Sequence, residues 1–333
     1  MKWSKLEKKQ LRIYIAITFG VPIAMSGFMW MGYIKDANLI AFPMAQMMIP
    51  AVGVILVALR TTDKERLPKT FYKFYLVMAF FCLLGAIGSV LIKGTLLDGS
   101  LLDIIVIFGS VVGGMLLLSE EREKRETAGL MGANWKLSMI LLVAFVVLYF
   151  LRMLIIFSIE GQKWVFFEIL AQPKMWVQFI FYVGLFCVTF IPYLGEEYGW
   201  RYFLQPLLMK RFGKRIGVLL VGGLWGLWHA PLDFFYYVDN PSMGWMSLVS
   251  HLSTCICIGI FFSYAYLKTR NIWVPVILHF INNSFAGIFV QDVQTEAYMH
   301  WGDVFIQFIV LAIVYDSFIF STVFKKEVIE HIE

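Results

Sequence analysis

Long apolar runs recur along the whole of this 333-residue chain, and they constrain its fold more than any other feature. A helix of about 20 residues crosses the hydrocarbon core of a bilayer, and each run reaches that length. Only 15% of the residues are charged, whereas soluble domains carry about 25%. The pattern predicts an all-α, polytopic bundle of about ten transmembrane helices.

The net charge of +5 lies in short basic clusters between the apolar runs. Such clusters mark the cytoplasmic ends of membrane helices, so we interpret them as topology signals and expect no nucleic-acid partner. They alternate with weakly charged loops, which predicts that both termini are cytoplasmic. We therefore expect a multi-pass protein of the cell membrane, with the lipid bilayer as one partner.

No linker or low-complexity segment interrupts the pattern, so we expect residues 1–333 to form a single integral membrane domain. Residues 1–160 hold few polar groups at membrane depth and are predicted to be additional N-terminal helices. Nearly all the deep polar groups fall between residues 175 and 290. The four cysteines lie in apolar runs and are interpreted as buried small hydrophobes, without disulfides: Cys82, Cys187, Cys255 and Cys257.

Two adjacent carboxylates, Glu196 and Glu197, follow a long apolar run. Ionisable groups at membrane depth are costly and are usually functional. Arg201 stands four residues after Glu197, the favourable order for an ion pair on a helix. Glu196 is rotated by about 100° from Glu197 and has no matched cation. We therefore expect Glu197 and Arg201 to support the site, and Glu196 to act as a general base.

Two later helices add polar groups at compatible depths. His229 lies about 20 Å from the start of its helix, a depth that Glu196 can share. His279 and Asn283 are four residues apart, on one face of the next polar-bearing helix. A histidine and an asparagine at this spacing can direct two donors at one developing oxyanion. A single membrane histidine or asparagine often makes only an interhelical hydrogen bond, but the set favours a catalytic site.

The other ionisable groups give weaker signals. Asp233 either orients the imidazole of His229, which precedes it by one turn, or faces the membrane interface. Arg152 is interpreted as a side chain that extends to the interface. Asp316 has no assigned role. Three histidines are interpreted as structural or solvated: His251, His300 and His331.

The chain contains neither a Gly-x-Ser-x-Gly nucleophile motif nor a His-Glu-x-x-His metal motif. A base, a histidine and two oxyanion donors without a nucleophile indicate attack by an activated water. The expected reaction is hydrolysis of a carbonyl compound, and we favour a peptide bond as the bond that is cleaved.

The polar groups form three motifs along the chain: Glu196-Glu197-x-x-x-Arg201, Trp225-x-x-x-His229 and His279-x-x-x-Asn283. These motifs resemble those of the CAAX protease and bacteriocin-processing (Abi) family of intramembrane glutamate endopeptidases. The resemblance covers roughly residues 175–290, which would form the catalytic core. It implies that Glu196 is the base, that His229 helps hold the water, and that His279 and Asn283 stabilise the oxyanion. The second motif usually begins with Phe, and Trp225 replaces it here with another bulky aromatic.

The resemblance implies no cofactor or metal, and a hydrophobic or membrane-associated peptide or protein as the substrate. Two alternatives stay open at this point. Glu196, His229 and His279 have the donor types that zinc prefers, as in a membrane metalloprotease. The same polar groups could instead serve a transporter or a non-catalytic scaffold, although we find no internal repeat of the kind that transporters show.

Overall fold

A computed structural model describes residues 2–92, 99–290 and 300–325 of the chain. Helices account for most of these residues, and the described ranges contain no strand. In chain order the α-helices are α1 Lys5–Ile34, α2 Ala41–Thr61, α3 Lys69–Leu91, α4 Gly99–Ser119, α5 Arg122–Thr127, α6 Trp135–Ile159, α7 Lys163–Ala171, α8 Pro173–Thr189, α9 Ile191–Glu197, α10 Gln205–Phe212, α11 Lys214–Trp228, α12 Ala230–Phe235, α13 Gly244–Thr269, α14 Trp273–Val290 and α15 Trp301–Tyr315.

Within the described ranges, eight helical stretches are long and apolar enough to cross a membrane. The pair α7–α8 is bent by 71° and supplies a ninth crossing if it forms one span. The apolar stretch of α14, Trp273–Phe289, is shorter than the others. The prediction of an all-α, polytopic bundle is thus confirmed, and the bent pair and α14 account for the difference from about ten full-length spans.

The segment that carries the two glutamates is not one continuous helix. Helix α8 ends at Thr189, α9 begins at Ile191, and a π-helical stretch, Tyr198–Leu204, separates α9 from α10. Pro192 lies in the first turn of α9, and proline cannot donate the backbone hydrogen bond that would continue α8. Stretches of π-helix occur frequently at functional sites.

The basic clusters gather at one end of the bundle, which we call the basic end. An ion pair of 2.7 Å between Glu7 Oε1 and Lys210 Nζ joins the start of α1 to α10. Asn134, before α6, donates from Nδ2 to the carbonyl oxygen of Thr269, at the end of α13, over 2.8 Å. Which side of the membrane the basic end faces remains a prediction from the positive-inside rule.

The N-terminal helices pack directly on the segment that follows residue 175. Gln46 of α2 donates from Nε2 to the carbonyl oxygen of Trp228 over 2.8 Å. The indole Nε1 of Trp228 in turn donates to the carbonyl oxygen of Thr18 of α1 over 2.8 Å. Helices α1 and α2 therefore hold the end of α11 in place.

Three of the four cysteines are buried and free, as predicted. Cys187 is exposed, and for this residue the prediction of burial was wrong. The reason is that α8 buries only Met175 completely and leaves much of its apolar surface on the outside of the bundle. A run that is apolar all round does not reveal which face meets other helices and which meets lipid.

Two pairs of glycines, each four residues apart, allow close helix contacts around the site. A Cβ atom on Gly195 would lie 2.4 Å from the carbonyl oxygen of Met47 of α2, and one on Gly199 would lie 2.3 Å from Cβ of Pro50. A Cβ atom on Gly226 would lie 2.6 Å from Cα of Leu252 of α13. Small residues at this spacing let membrane helices approach closely.

We expect Gly226→Ala to lower stability by about 1–3 kcal/mol or more, because the added methyl meets backbone that cannot move without shifting α13. Gly223→Ala is the matched control on the same helix, because a Cβ atom at this position would meet nothing within 4 Å. Thermal unfolding of the purified, detergent-solubilised variants measures the difference. Equal melting temperatures for the two variants would show that the close contact at Gly226 does not matter.

Candidate active site

Four predicted site residues line one cavity of about 130 Å³. They are Glu196, His229, His279 and Asn283, contributed by α9, α14 and the link between α11 and α12. Glu196 and His279 are buried, with 2% and 5% of their surface exposed, and His229 is at 9%. Asn283 is exposed. The tertiary structure therefore brings together residues that are up to 87 positions apart, from Glu196 to Asn283.

Glu197 lies behind this cavity in a fully buried ion-pair cluster. Arg201 Nη1 is 3.1 Å from Oε1 and 3.0 Å from Oε2 of Glu197. His279 places its Nδ1 2.9 Å from Oε1 of the same carboxylate. The structure thus pairs Glu197 with Arg201 as the spacing predicts, and adds His279 as a second partner. Because Nδ1 of His279 contacts Glu197, only Nε2 remains for the cavity.

Aromatic rings surround the Arg201 guanidinium. Its Cζ atom lies 4.2 Å from the centroid of the Trp225 ring and 5.2 Å from that of Phe262. These distances are within the range of cation–π interactions, which strengthen when the cation is removed from water. The cluster around Glu197 is therefore held by charge pairing and by ring stacking together.

Trp225 makes more contacts with the site than its place in the sequence motif indicates. Its indole Nε1 donates to Oε2 of Glu196 over 2.6 Å. Its carbonyl oxygen lies 2.9 Å from Nδ1 of His229. Since a carbonyl oxygen only accepts, Nδ1 of His229 carries a proton, and Nε2 of the neutral ring is an acceptor.

Sequence reasoning treated Trp225 as a bulky aromatic equivalent to phenylalanine and missed its hydrogen bond. Phenylalanine has no N–H group, so it could not bond to Glu196. The available signal was chemical: a buried tryptophan usually finds an acceptor for its indole N–H. Because the bond holds one oxygen of Glu196, Trp225 is a positioning residue for that carboxylate.

We expect Trp225→Phe to lower kcat/KM about 10-fold or more, because a hydrogen bond to a charged group contributes about 1.5–3 kcal/mol. Thermal stability should change less, since a phenylalanine ring can still stack on Arg201. Trp225→Leu, which removes both interactions, should lower activity and melting temperature together. Steady-state peptide cleavage and thermal unfolding give the two readouts, and unchanged kcat/KM in Trp225→Phe would refute the role.

Asp233 is fully buried and does not orient His229, so both predicted alternatives for this residue were wrong. Its Oδ1 accepts from Ser247 Oγ over 2.6 Å and lies 2.5 Å from Nδ1 of His251. His229 instead bonds back to the carbonyl of Trp225, one turn earlier. Sequence spacing placed Asp233 on the face of His229 but could not show that α13 packs against that face.

His251, interpreted from the sequence as structural or solvated, lies inside α13, which begins at Gly244. Its side chain lines the same cavity as Glu196. The rings of His251 and His229 are stacked with centroids 4.8 Å apart and planes 4° apart. His251 is therefore a third histidine of the site, which sequence reasoning did not assign.

The other ionisable groups singled out from the sequence lie outside this cavity wherever the structure describes them. His300 caps the start of α15, in agreement with a structural role, and His331 lies outside the described residues. Asp316 lies in a 3₁₀ turn directly after α15. Arg152 was expected to extend to the interface, but it contacts Asn282 Oδ1 at 3.5 Å and lies over the Tyr149 ring.

Among residues 2–92, 99–290 and 300–325, no group of three or more histidine, cysteine, aspartate or glutamate side chains is arranged to hold a metal ion. The side chains proposed as zinc ligands from the sequence share the cavity but are engaged differently. Glu196 bonds to Trp225, and His279 bonds to Glu197.

The helical bundle and its buried polar cavity define a multi-pass membrane protein with an enzyme-like site. Residues 176–285 match the model of a family described as type II CAAX prenyl endopeptidase, Rce1-like. This match confirms, over about a third of the chain, the resemblance seen in the three motifs, all of which lie within the matched segment. It supports a peptidase of the CAAX type that works within the membrane. No curated protein and no solved structure matches the chain.

Proposed function

We propose that this protein is an intramembrane endopeptidase in which Glu196 activates a water molecule for attack on a peptide bond. The observation that carries the proposal is the position of Glu196. It is buried in a cavity lined by three histidines and two asparagines, and Trp225 holds its Oε2. The other carboxylate oxygen, Oε1, is then available to take a proton from a water in the cavity.

His229 would hold the attacking water together with Glu196. The bond from its Nδ1 to the carbonyl of Trp225 fixes the ring, so Nε2 is the nitrogen available as an acceptor. Glu196 takes one proton from the water, and the resulting hydroxide attacks the carbonyl carbon of the substrate. Two acceptors for the two water protons orient the lone pair that forms the new bond.

His279 and Asn283 would stabilise the oxyanion that forms on the carbonyl oxygen. His279 donates from Nε2 when its ring carries both protons, and the Glu197 carboxylate accepts from Nδ1 of that ring. Asn282 donates from Nδ2 to Oδ1 of Asn283 over 3.1 Å, which leaves the NH₂ group of Asn283 available to donate. Glu197 and Arg201 would support this arrangement without contacting the substrate.

The substrate is proposed to be a hydrophobic or membrane-associated peptide or protein, cleaved at the cell membrane. Residues 175–290 would form the catalytic core, and the N-terminal helices would complete its wall. Pro43 and Met47 of α2 line the cavity beside Glu196, which supports this division of roles. The description of the matched family concerns prenyl endopeptidases, so a prenylated peptide is the first substrate to test.

The test is cleavage of a quenched peptide library by the purified protein in detergent. Each sequence is supplied with and without a prenyl group on a cysteine, and each reaction is run with and without a strong chelator. We expect cleavage that the chelator does not affect. Preference for the prenylated member of each pair would identify the lipid group as part of the substrate.

Two results would overturn the proposal. Activity that is lost with chelator and restored by zinc would indicate a metalloprotease. Absence of cleavage by folded, monodisperse protein across the library, together with retained biological function after Glu196→Ala, would indicate a non-catalytic membrane protein.

A further inference from the structure

A second polar cavity adjoins the catalytic one. Its volume is about 390 Å³, and it shares His251, Thr254 and Asn282 with the cavity that contains Glu196. Eight of its twelve lining residues are polar or charged, which is unusual in an apolar bundle; they include Arg152, Ser250 and Gln307. Glu160 and Asp303 are exposed. A polar space of this size can hold water.

His251 lies where the two cavities meet, and its orientation is fixed. Asp233, which is fully buried, lies 2.5 Å from Nδ1 of His251. Asp233 is itself held by the hydroxyl of Ser247 over 2.6 Å. The imidazole is further stacked on His229 and packed against the ring of Tyr237, with centroids 4.9 Å apart in the second case. Nε2 is the nitrogen left for the cavities.

A buried carboxylate bonded to one nitrogen of a histidine is the arrangement that lets the other nitrogen transfer protons. The carboxylate fixes the ring and stabilises the imidazolium form while Nε2 holds the second proton. His229 lacks such a partner because its Nδ1 bonds to a carbonyl. His279 shares its carboxylate with Arg201 and faces the expected oxyanion position.

We propose that His251, oriented by Asp233, is the proton donor to the leaving amine. The second cavity supplies water to the catalytic cavity. This proposal rests on the proposed function, since it completes the hydrolysis that Glu196 begins. His251 would be a catalytic residue, because in this proposal its Nε2 would contact the leaving nitrogen. Asp233 would be a positioning residue.

The proton balance of the reaction closes with these groups. Glu196 takes one proton from the attacking water, and the hydroxide oxygen bonds to the carbonyl carbon. When the C–N bond breaks, its electron pair stays on nitrogen, and Nε2 of His251 supplies the proton that makes a neutral amine. The proton held by Glu196 then returns to Nε2 of His251 through water, so both side chains regain their starting state.

The test compares an amide with an ester that have the same acyl sequence. The ester has an aryloxide leaving group, which departs without needing a proton. We expect His251→Ala to lower amide cleavage by about 10² or more, in the range of general acid catalysis, and to lower ester cleavage only a few-fold. Glu196→Gln should lower both, because both need the activated water. Imidazole added to His251→Ala should restore part of the amide activity.

Asp233→Asn provides the second variant, since its amide oxygen can still accept from Ser247 and His251. It should show a smaller loss with the same selectivity for the amide. Asp316→Asn is the control for removing an aspartate that lines neither cavity, and it should affect neither substrate. If His251→Ala does not purify as folded protein, His251→Asn replaces it in the same comparison.

Equal losses of cleavage rate on the amide and the ester, without rescue by imidazole, would show that His251 has only a structural role. Unchanged amide cleavage would also overturn the proposal. Neither result affects the role of Glu196, which Glu196→Gln measures separately on the ester. Absence of wild-type activity on both substrates would overturn the proposed function itself.

Discussion

Glu196→Gln should abolish nearly all peptide cleavage and leave the fold intact. General base catalysis contributes about 10²–10⁴ to the rate, and an amide cannot accept the proton of the attacking water. The fold should survive because the oxygen of glutamine can still accept from Nε1 of Trp225, as Oε2 of Glu196 does over 2.6 Å. Initial rates with the quenched peptide and the melting temperature of the same preparation measure the two effects.

Glu123→Gln is the control for the chemical change alone. Glu123 is exposed on the short helix α5, outside both cavities. This variant should keep the wild-type rate and melting temperature. A Glu196→Gln enzyme that retained more than about a tenth of the wild-type rate would contradict a general-base role, which is worth at least about 10².

Arg201→Met should have the largest effect on stability. Arg201 and Glu197 are both 0% exposed, and removal of one partner leaves an uncompensated charge inside the bundle. Breaking a buried pair in this way costs about 3–5 kcal/mol. We expect little folded protein, or a much lower melting temperature, in size-exclusion and thermal unfolding measurements.

A second change distinguishes charge from packing at Arg201. In the double variant Arg201→Met/Glu197→Gln, no charge is left unpaired. The amide oxygen introduced at position 197 can still accept a hydrogen bond from His279. Much of the stability should therefore return, because apolar replacement of both members of a buried pair is often tolerated. Activity should stay low, since His279 then lacks its carboxylate. No recovery of stability would show that Arg201 acts through its stacking on Trp225 and Phe262.

Arg122 provides the matched control, since it forms an ion pair of 2.7 Å with Glu126 at the same four-residue spacing. Both side chains are at least half exposed. Exposed pairs contribute about 0–1 kcal/mol, so Arg122→Met should unfold at nearly the wild-type temperature. A similar loss in both variants would mean that burial does not decide the strength of these pairs.

Sequence reasoning succeeded where the information was local. Apolar runs of sufficient length predicted the helices and the membrane class, because a bilayer imposes the same length on every span. Glu197 and Arg201 were paired correctly because residues four apart on a helix are neighbours. The match to residues 176–285 agrees with the three motifs, each of which spans only a few residues.

The errors arose where distant helices meet. Asp233 was interpreted either as a partner of His229, one turn away, or as an interface residue, but it bonds to His251, which is 18 residues away. Trp225 was treated as an aromatic surface, but its N–H reaches Glu196, 29 residues away. The exposure of Cys187 and the helix break before Ile191 were likewise not predicted, because the hydropathy is uniform along this run.

Hydrophobic length and helical spacing are properties of short segments, so the amino-acid sequence was enough to predict a helical membrane protein with a Glu-Glu-x-x-x-Arg motif. The tertiary structure was needed to show which groups share a cavity. Side-chain bulk is absent between these helices at the glycines 195, 199, 222 and 226. Helices α2, α9, α11 and α13 therefore approach closely around the cavity. The partners of Glu196 and Asp233 follow from that packing, since each lies where one helix meets its neighbour.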